Sequence, residues 1–261
     1  MAMVHGTCAL CFAPGVPLKE SHILPSWAYK RARATGTANP DPVQVRLGTA
    51  VQTSKQLTDR LLCGRCEQRL GTAERYASTL AYKADFSTDF FSHVRRLPRV
   101  GTSVPVVEPV TLNLAQLAYF GASVFWRAHV STRTQGYSMG DRYAEAFRTY
   151  LLDPSSPPSR TAMILMYYED ALGQGSKYGT TFVVPAQCRN GDHHAHRLVV
   201  CGFHFELVTG GVLPKTFRKL CLWQGSDRRI PIQNHQFLVR WFAEVLPPIQ
   251  PKGKLANSGG S

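Results

Sequence analysis

The chain has 261 residues, which is enough for one large domain or for a small module joined to a larger one. Hydrophobic residues make up 44%, so a packed core can form, and no stretch approaches the roughly 20 consecutive apolar residues of a membrane helix. Thirty Lys and Arg residues against 17 Asp and Glu give a net charge of +13. This excess favours a polyanionic partner such as nucleic acid, although a basic protein without such a partner stays open.

The first residues, 1–6, contain neither the basic start nor the apolar stretch of a signal peptide. We therefore expect a cytoplasmic protein with no membrane partner, in which cysteines stay reduced. In that setting a Cys-x-x-Cys pair indicates metal ligands rather than a disulfide. The remaining thiols, Cys188, Cys201 and Cys221, are predicted to lie in the core.

Two such pairs occur, Cys8-x-x-Cys11 and Cys63-x-x-Cys66, with Gly64 inside the second. A two-residue gap lets both sulfurs of a pair contact one cation, and two pairs supply the four thiolates of a tetrahedral zinc site. We expect one shared zinc ion that acts as a scaffold, because four thiolates leave no open coordination position. The alternative is two chance pairs of small buried thiols.

The segment between the pairs predicts an extended stretch over 17–24 that carries His22, then a short helix over 26–34. The alternating pattern over 43–47 predicts a strand, and the second pair leads into a helix from Glu67 onward. Together these elements predict a small zinc-bound ββα unit.

The Pro-interrupted stretch 98–109 is the predicted boundary between an N-terminal module over 1–97 and a domain over 110–246. The predicted elements of the second part are helices over 112–130, 141–152 and 236–246, and β-rich runs over 162–168, 180–185, 197–208 and 220–223. The fold class expected is α+β, with helices and an antiparallel sheet in this domain. Residues 247–261, rich in Pro, Gly and Ser, predict a flexible tail.

The motifs Ser21-His22-Ile23-Leu24-Pro25 and Leu61-Leu62-Cys63-x-x-Cys66-Glu67 resemble those of the HNH endonucleases, in particular zinc-bound members of the ββα-metal group. The resemblance covers about residues 8–80 and implies an N-terminal HNH-like module. It implies a metal-dependent endonuclease that hydrolyses phosphodiester bonds in nucleic acid, with DNA favoured over RNA.

The resemblance also implies roles for individual residues. His22 matches the general base that activates water, and Glu67 matches a ligand of a catalytic Mg or Mn ion. Glu74 would support Glu67 from the same face of the helix. Ser21 stands where a metal-binding Asp or His is usual, and Thr58 stands roughly where the family has an Asn. A hard cation binds serine poorly; Glu20 or Asp59 could complete the site, although neither falls on a position of the motif.

Other readings stay open for these residues. His22 could have a structural role or replace a cysteine as a zinc ligand, and Glu67 with Glu74 could form a solvated acidic face. The alternative function is a catalytically degenerate zinc module that binds nucleic acid or a protein partner. In a third reading, the C-terminal domain senses a signal to which the module responds.

The C-terminal half offers two weaker candidates. The histidines at 193, 194, 196 and 204 could bind a transition metal, but Asn190-Gly191-Asp192 instead favours a hairpin tip for the first two. The basic points Arg95-Arg96-x-x-Arg99 and Arg228-Arg229 could bind phosphates, or form a solvated surface.

Overall fold

The predicted α+β class is confirmed by the computed structural model of the chain. The residues that the structure describes are 3–33, 41–46, 49–101, 104–134, 136–169, 180–190, 193–234, 236–237, 240 and 250–252. Within these residues, none of the helices combines the length and the apolar character needed to cross a membrane.

The N-terminal part is a three-stranded antiparallel sheet of β1 (His5–Gly6), β2 (Val16–His22) and β5 (Thr58–Cys63) in the order β1-β2-β5. Helix α1 (Ser26–Arg31) follows β2, and its end at Arg31 falls short of the predicted 34. Helix α2 (Gly64–Leu80) begins directly after β5. The order of these elements is therefore two antiparallel strands, β2 and β5, followed by a helix.

A second small sheet is formed by β3 (Val43–Arg46), β4 (Thr49–Gln52) and β13 (Gln250–Lys252) in the order β13-β4-β3. Strand β13 runs parallel to β4 and comes from the stretch predicted as a flexible tail. The rest of that stretch lies outside the described residues, as does most of the predicted helix over 236–246.

The large sheet has seven strands: β6 (Val94–Arg96), β7 (Val106–Pro109), β8 (Thr161–Glu169), β9 (Phe182–Asn190), β10 (His193–Val200), β11 (Phe203–Thr209) and β12 (Ile230–Asn234). Their order is β6-β7-β12-β8-β11-β10-β9. All neighbours are antiparallel except β12 and β8, which are parallel. Strand β6 lies just before the predicted boundary stretch and β7 forms its last four residues, and both belong to this sheet.

Helix α3 (Leu114–Val130) packs between this sheet and α2 and is buried along most of its length. The side chain of Asn113 caps its start by accepting a hydrogen bond from the Gln116 amide. Gly121 lets the helix approach the sheet, because a Cβ there would lie 2.8 Å from the ring of Phe205. Helix α4 (Asp141–Leu152) matches its prediction, and α5 (Lys215–Leu220) is short and exposed.

One continuous buried cluster joins the N-terminal elements to the large sheet. Tyr167 of β8 stacks on Phe90 at a ring-centroid distance of 3.8 Å and lies 5.7 Å from Tyr82. Trp27 of α1 lies 6.2 Å from Phe120 of α3. The predicted boundary at 98–109 therefore stays a prediction, to be tested against this shared core.

Two expectations about strands are wrong. The run 220–223 is the end of α5 followed by a turn, because Pro214 and the good helix formers after it begin a helix. The run 197–208 is a hairpin and not one strand. Cys201 (φ 44°) and Gly202 (φ 97°) form a two-residue turn with positive φ at both positions.

Candidate functional site

The four paired cysteines form one cluster. Their Sγ atoms all lie within 4.8 Å of one another, and Cys11 and Cys63 are 3.9 Å apart. Cys8 and Cys11 lie in the loop after β1, Cys63 ends β5, and Cys66 lies in the first turn of α2. The cluster thus joins the beginning of the chain to the junction of β5 and α2.

The loop that holds the first pair is fixed from two sides. The backbone turns back on itself, since the Phe12 amide donates to the Cys8 carbonyl at 2.9 Å and Phe12 has a positive φ of 59°. Arg148 of α4 braces the same loop, because it donates to the Leu10 carbonyl at 2.9 Å and lies over the Phe12 ring. Cys8 and Cys66 are buried, whereas Cys11 is exposed.

The electrostatics of the cluster favour a cation. Burial opposes ionisation of Cys8, but backbone N–H groups of Cys11, Cys63 and Leu10 outweigh it and lower the pKa of the thiol to about 7. Burial and the neighbouring cysteines raise the pKa of Cys66, since thiolates this close repel one another. Zinc–sulfur bonds of about 2.3 Å place the sulfurs of a tetrahedron about 3.8 Å apart. The cluster could therefore bind a structural metal such as zinc.

His22 and Ser21 occupy the end of β2 but make different contacts. Ser21 is fully buried, and its hydroxyl donates to Glu67 Oε2 at 2.8 Å. His22 is half-buried and pairs with Thr58 in the register of β2 and β5. Among the described residues its imidazole takes part in no hydrogen bond or ion pair. The residue tied directly to Glu67 is therefore Ser21.

The two glutamates of α2 are partly buried but have different partners. Glu67 accepts the Ser21 hydroxyl, whereas Glu74 accepts from Arg127 Nη2 of α3 at 3.3 Å. Seven positions correspond to about two helical turns, so both carboxylates lie along one flank of α2. The structure therefore brings the end of β2 and this flank of α2 together.

The residues considered as replacement ligands are already engaged. Asp59 Oδ2 accepts from the Ser131 hydroxyl at 2.9 Å and from the amide and hydroxyl of Thr132 at 3.0 and 3.1 Å. Its Oδ1 accepts the Arg60 amide at 2.8 Å. Glu20 accepts the Thr58 hydroxyl at 2.8 Å. Within the described residues, neither carboxylate belongs to a group of three or more ligand side chains close enough to hold a metal ion.

Sequence reasoning missed Arg127. It lies on α3, its side chain is 1% exposed, and it donates to the His22 carbonyl at 2.6 Å as well as to Glu74. The signal was present in the sequence, because Arg127 is the one charged residue between Leu114 and Ala128.

The histidines of the large sheet do not converge. His204 is buried and bonded to Tyr168 and Gln233, whereas His196 is buried against Tyr137. His193 and His194 begin β10 next to the hairpin end, as expected. Within the described residues, the four cysteines are the one group of three or more ligands close enough to hold a metal ion.

Several of the basic points are paired with carboxylates. Arg95 pairs with Glu108 and Arg96 with Glu169 across the edge of the large sheet. Arg229 pairs with Asp227 at 2.6 Å. Their charge is thus partly neutralised within the protein.

Comparisons with protein-family models, with curated proteins and with solved structures gave no match.

Proposed function

We propose that the chain is a metal-dependent endonuclease of the HNH type, which hydrolyses phosphodiester bonds in nucleic acid. The observation that carries this proposal is the arrangement of β2, β5 and α2 above the four-thiol cluster. It brings the end of the strand that bears His22 to the flank of the helix that bears Glu67, with the Ser21–Glu67 hydrogen bond between them.

In this proposal zinc bound by Cys8, Cys11, Cys63 and Cys66 is structural. Four thiolates fill the coordination shell, so the ion leaves no position for water or substrate. Its role is to hold the loop after β1 against the β5–α2 junction.

The chemistry is assigned to His22 and Glu67. A neutral imidazole accepts a proton from water near neutral pH, and His22, whose ring nitrogens have no partner among the described residues, suits that role. Among the described residues, one carboxylate oxygen of Glu67 has no protein donor, so Glu67 could ligate a Mg or Mn ion. Such an ion, when bound, stabilises charge on the scissile phosphate and on the leaving oxygen.

The nucleic-acid partner is supported by the exposed face of α2. That face carries Arg65, Arg69 and Arg75 and none of the acidic residues of the helix. Arg69 uses one N–H to hold the Leu152 carbonyl at 2.6 Å, which fixes its side chain at the C-terminal end of α4. Such a face matches the charge of a phosphate backbone, and we expect DNA to bind there.

The second candidate is a catalytically degenerate zinc module that binds nucleic acid or a protein partner. The engagement of Asp59 and Glu74 favours it, because both carboxylates are held by donors from α3 or from the residues just after it. Within the described residues Glu67 and Glu20 each accept one hydroxyl, and a hard cation binds weakly through so few protein ligands.

Plasmid cleavage with added Mg²⁺ or Mn²⁺ decides between the two candidates. We expect His22→Ala to abolish cleavage with zinc content and DNA binding intact, since it removes the base and not the scaffold. Glu67→Gln should raise the concentration of divalent ion needed for activity. His193→Ala, in the β9–β10 hairpin, serves as the matched control and should cleave like wild type. If wild type cleaves with neither ion, the endonuclease proposal is refuted.

DNA binding without added divalent ions tests the partner separately. Replacing Arg65, Arg69 and Arg75 by Ala in one triple variant should weaken DNA binding. The slope of log affinity against log salt concentration should become less negative by about 2 to 3, because each lost phosphate contact changes it by about 0.9. The matched control removes the exposed cations Lys215, Arg218 and Lys219 of α5. Equal losses in both triple variants would show a diffuse charge effect, and no binding at low salt would favour a protein partner.

A further inference from the structure

Arg127 is an unusual residue for its place in the fold. Its helix neighbours Val124, Phe125, Trp126 and Ala128 are each at most 1% exposed, and Arg127 is as deeply buried as they are. Burying a guanidinium is costly, and an apolar residue of similar volume often serves stability equally well at such a position. Packing alone therefore does not account for an arginine here.

The donors of Arg127 reach two different elements. Nη1 donates to the backbone carbonyl of His22 at 2.6 Å, at the last residue of β2. Nη2 donates to the Glu74 carboxylate at 3.3 Å, on α2, and Nε donates to the Ser123 carbonyl within α3. One planar side chain thus spans the strand that carries His22 and the helix that carries Glu67.

A second contact lies at the same junction but does not involve His22. Ser131 and Thr132, just beyond the end of α3, donate to Asp59 of β5. These three hydrogen bonds dock the end of α3 onto β5, the edge strand of the N-terminal sheet. They provide an internal comparison, because they hold α3 against the same sheet without contacting the His22 backbone.

We infer that Arg127 is a positioning residue, through which α3 fixes the end of β2 against α2 and so sets the place of the His22 imidazole relative to Glu67. The inference rests on the proposed function for its effect on catalysis. The part of the inference that concerns structure, namely that Arg127 holds the end of β2 in place, does not depend on whether the protein cleaves DNA. The helix that carries it belongs to the part of the chain beyond the predicted module, so that part takes a direct share in shaping the site.

The informative substitution is Arg127→Lys, which keeps the charge in a side chain whose single ammonium cannot reproduce the planar fork that reaches both acceptors. We expect this variant to fold with unchanged zinc content and to lose about 10-fold in kcat for cleavage of duplex DNA, with KM within about twofold. Arg127→Met should lose about 100-fold or more, because misplacement of a catalytic group by about 1 Å has that effect. A kcat that is higher in Arg127→Lys than in Arg127→Met would show that the hydrogen-bonding cation positions the site, since a role in packing alone would not favour lysine.

Hydrogen exchange provides the readout that does not depend on cleavage. The Ile23 amide donates to the Leu57 carbonyl at 3.0 Å at this end of the small sheet. In Arg127→Lys it should exchange about 10-fold faster than in wild type, while amides in the middle of α2 keep their rates. The matched control Ser131→Ala should lower the melting temperature slightly and leave both kcat and the Ile23 exchange rate unchanged.

The outcomes separate the two ideas. If wild type cleaves DNA and Arg127→Lys keeps wild-type kcat and Ile23 exchange, the inference is overturned and the endonuclease proposal stands. The inference is also overturned if Ser131→Ala reduces kcat as much as Arg127→Lys, because a generally looser junction then explains the effect. If wild type cleaves nothing, the proposed function fails. Faster Ile23 exchange in Arg127→Lys than in wild type would then still support the role of Arg127 in fixing the end of β2, whereas equal exchange would overturn it.

Discussion

The carboxylates around β5 and α2 differ in how much of their hydrogen-bonding capacity the protein uses. Asp59 accepts four hydrogen bonds from Arg60, Ser131 and Thr132. Glu74 accepts one hydrogen bond from the guanidinium of Arg127, and Glu67 accepts one from the Ser21 hydroxyl. Within the described residues Asp59 is therefore committed to holding elements together, whereas Glu67, like Glu20, keeps hydrogen-bonding capacity for a ligand.

Asp59 gives a prediction for pH dependence. Burial alone would raise the pKa of Asp59, but the hydrogen bonds from Ser131, Arg60 and Thr132 outweigh it and lower the pKa below its ordinary value of 3.8. The stabilisation is therefore complete above about pH 4 and is lost as the pH falls through the lowered pKa. Asp59→Asn should reduce the free energy of unfolding at pH 7 by about 1–2 kcal/mol, since the group is partly exposed to solvent.

Urea denaturation of wild type and Asp59→Asn between pH 7 and pH 3 measures this difference. The gap between the two proteins should narrow below about pH 4. A gap that stays constant down to pH 3 would contradict the role given to the ionised carboxylate.

At the scale of elements, the helix over 141–152 could be predicted from the sequence, because the Pro-rich stretch over 153–158 marks its end. It failed where the deciding feature was not local. The hairpin turn at Cys201-Gly202 lacks the Asn-Gly that usually marks positive φ, and the glycine is needed because a Cβ there would lie 2.6 Å from Tyr82. Arg127 was missed because its acceptors come from distant parts of the chain. The convergence of the two cysteine pairs could be predicted, because a Cys-x-x-Cys spacing is a local sequence pattern that is typical of metal ligands.

Substituting alanine for each of two helical glycines should change the stability of the protein in opposite directions. A Cβ at Gly71 of α2 would meet Arg75 Nη1 at 3.9 Å and nothing nearer, so Gly71→Ala should stabilise the protein by about 0.5–1 kcal/mol. A Cβ at Gly121 of α3 would meet Phe205 at 2.8 Å and Met163 at 3.0 Å. Gly121→Ala should therefore destabilise it by about 1–3 kcal/mol. Chemical denaturation of both variants measures the two changes in the free energy of unfolding. A loss of stability in Gly71→Ala would contradict the prediction, because it would mean that there is no room for a methyl group at this position of α2.

The thiol cluster gives a second prediction at this scale. The purified protein should contain about one zinc ion per chain, and a strong chelator should lower its melting temperature, because a structural metal contributes directly to folding. Cys63→Ser should lose the metal. Cys221→Ser, at a buried thiol outside the cluster, should keep it and serves as the control. Zinc in Cys63→Ser equal to that in wild type would exclude this cluster as the site.

At the scale of the whole molecule, the parts of the chain on either side of residues 98–109 share one core. Tyr82 donates to the Tyr168 carbonyl, Tyr167 donates to the Leu80 carbonyl, and Arg148 braces the loop after β1. Contacts of this kind connect the cysteine cluster to the large sheet through α2, α3 and α4.

Limited trypsin digestion tests the predicted boundary. Arg99 is exposed in the connection between β6 and β7, so we expect cleavage there. The two fragments should stay together in size-exclusion chromatography until denaturant is added, because β6 pairs with β7 and Phe90 stacks on Tyr167 across the cut. Fragments that separate and remain folded would instead establish two independent domains.

The position of β12 between β7 and β8 has a consequence during synthesis of the chain. Strand β7 leaves the ribosome roughly 120 residues before β12, which at about 5–20 residues per second is an interval of about 6–24 s. For that time one side of β7 has no native partner, and an unpaired strand can bind another nascent chain. Arg95 and Arg96 on the adjacent β6 carry the charges that oppose such pairing. The protein should therefore depend on chaperones most strongly while the roughly 120 residues between β7 and β12 are being translated.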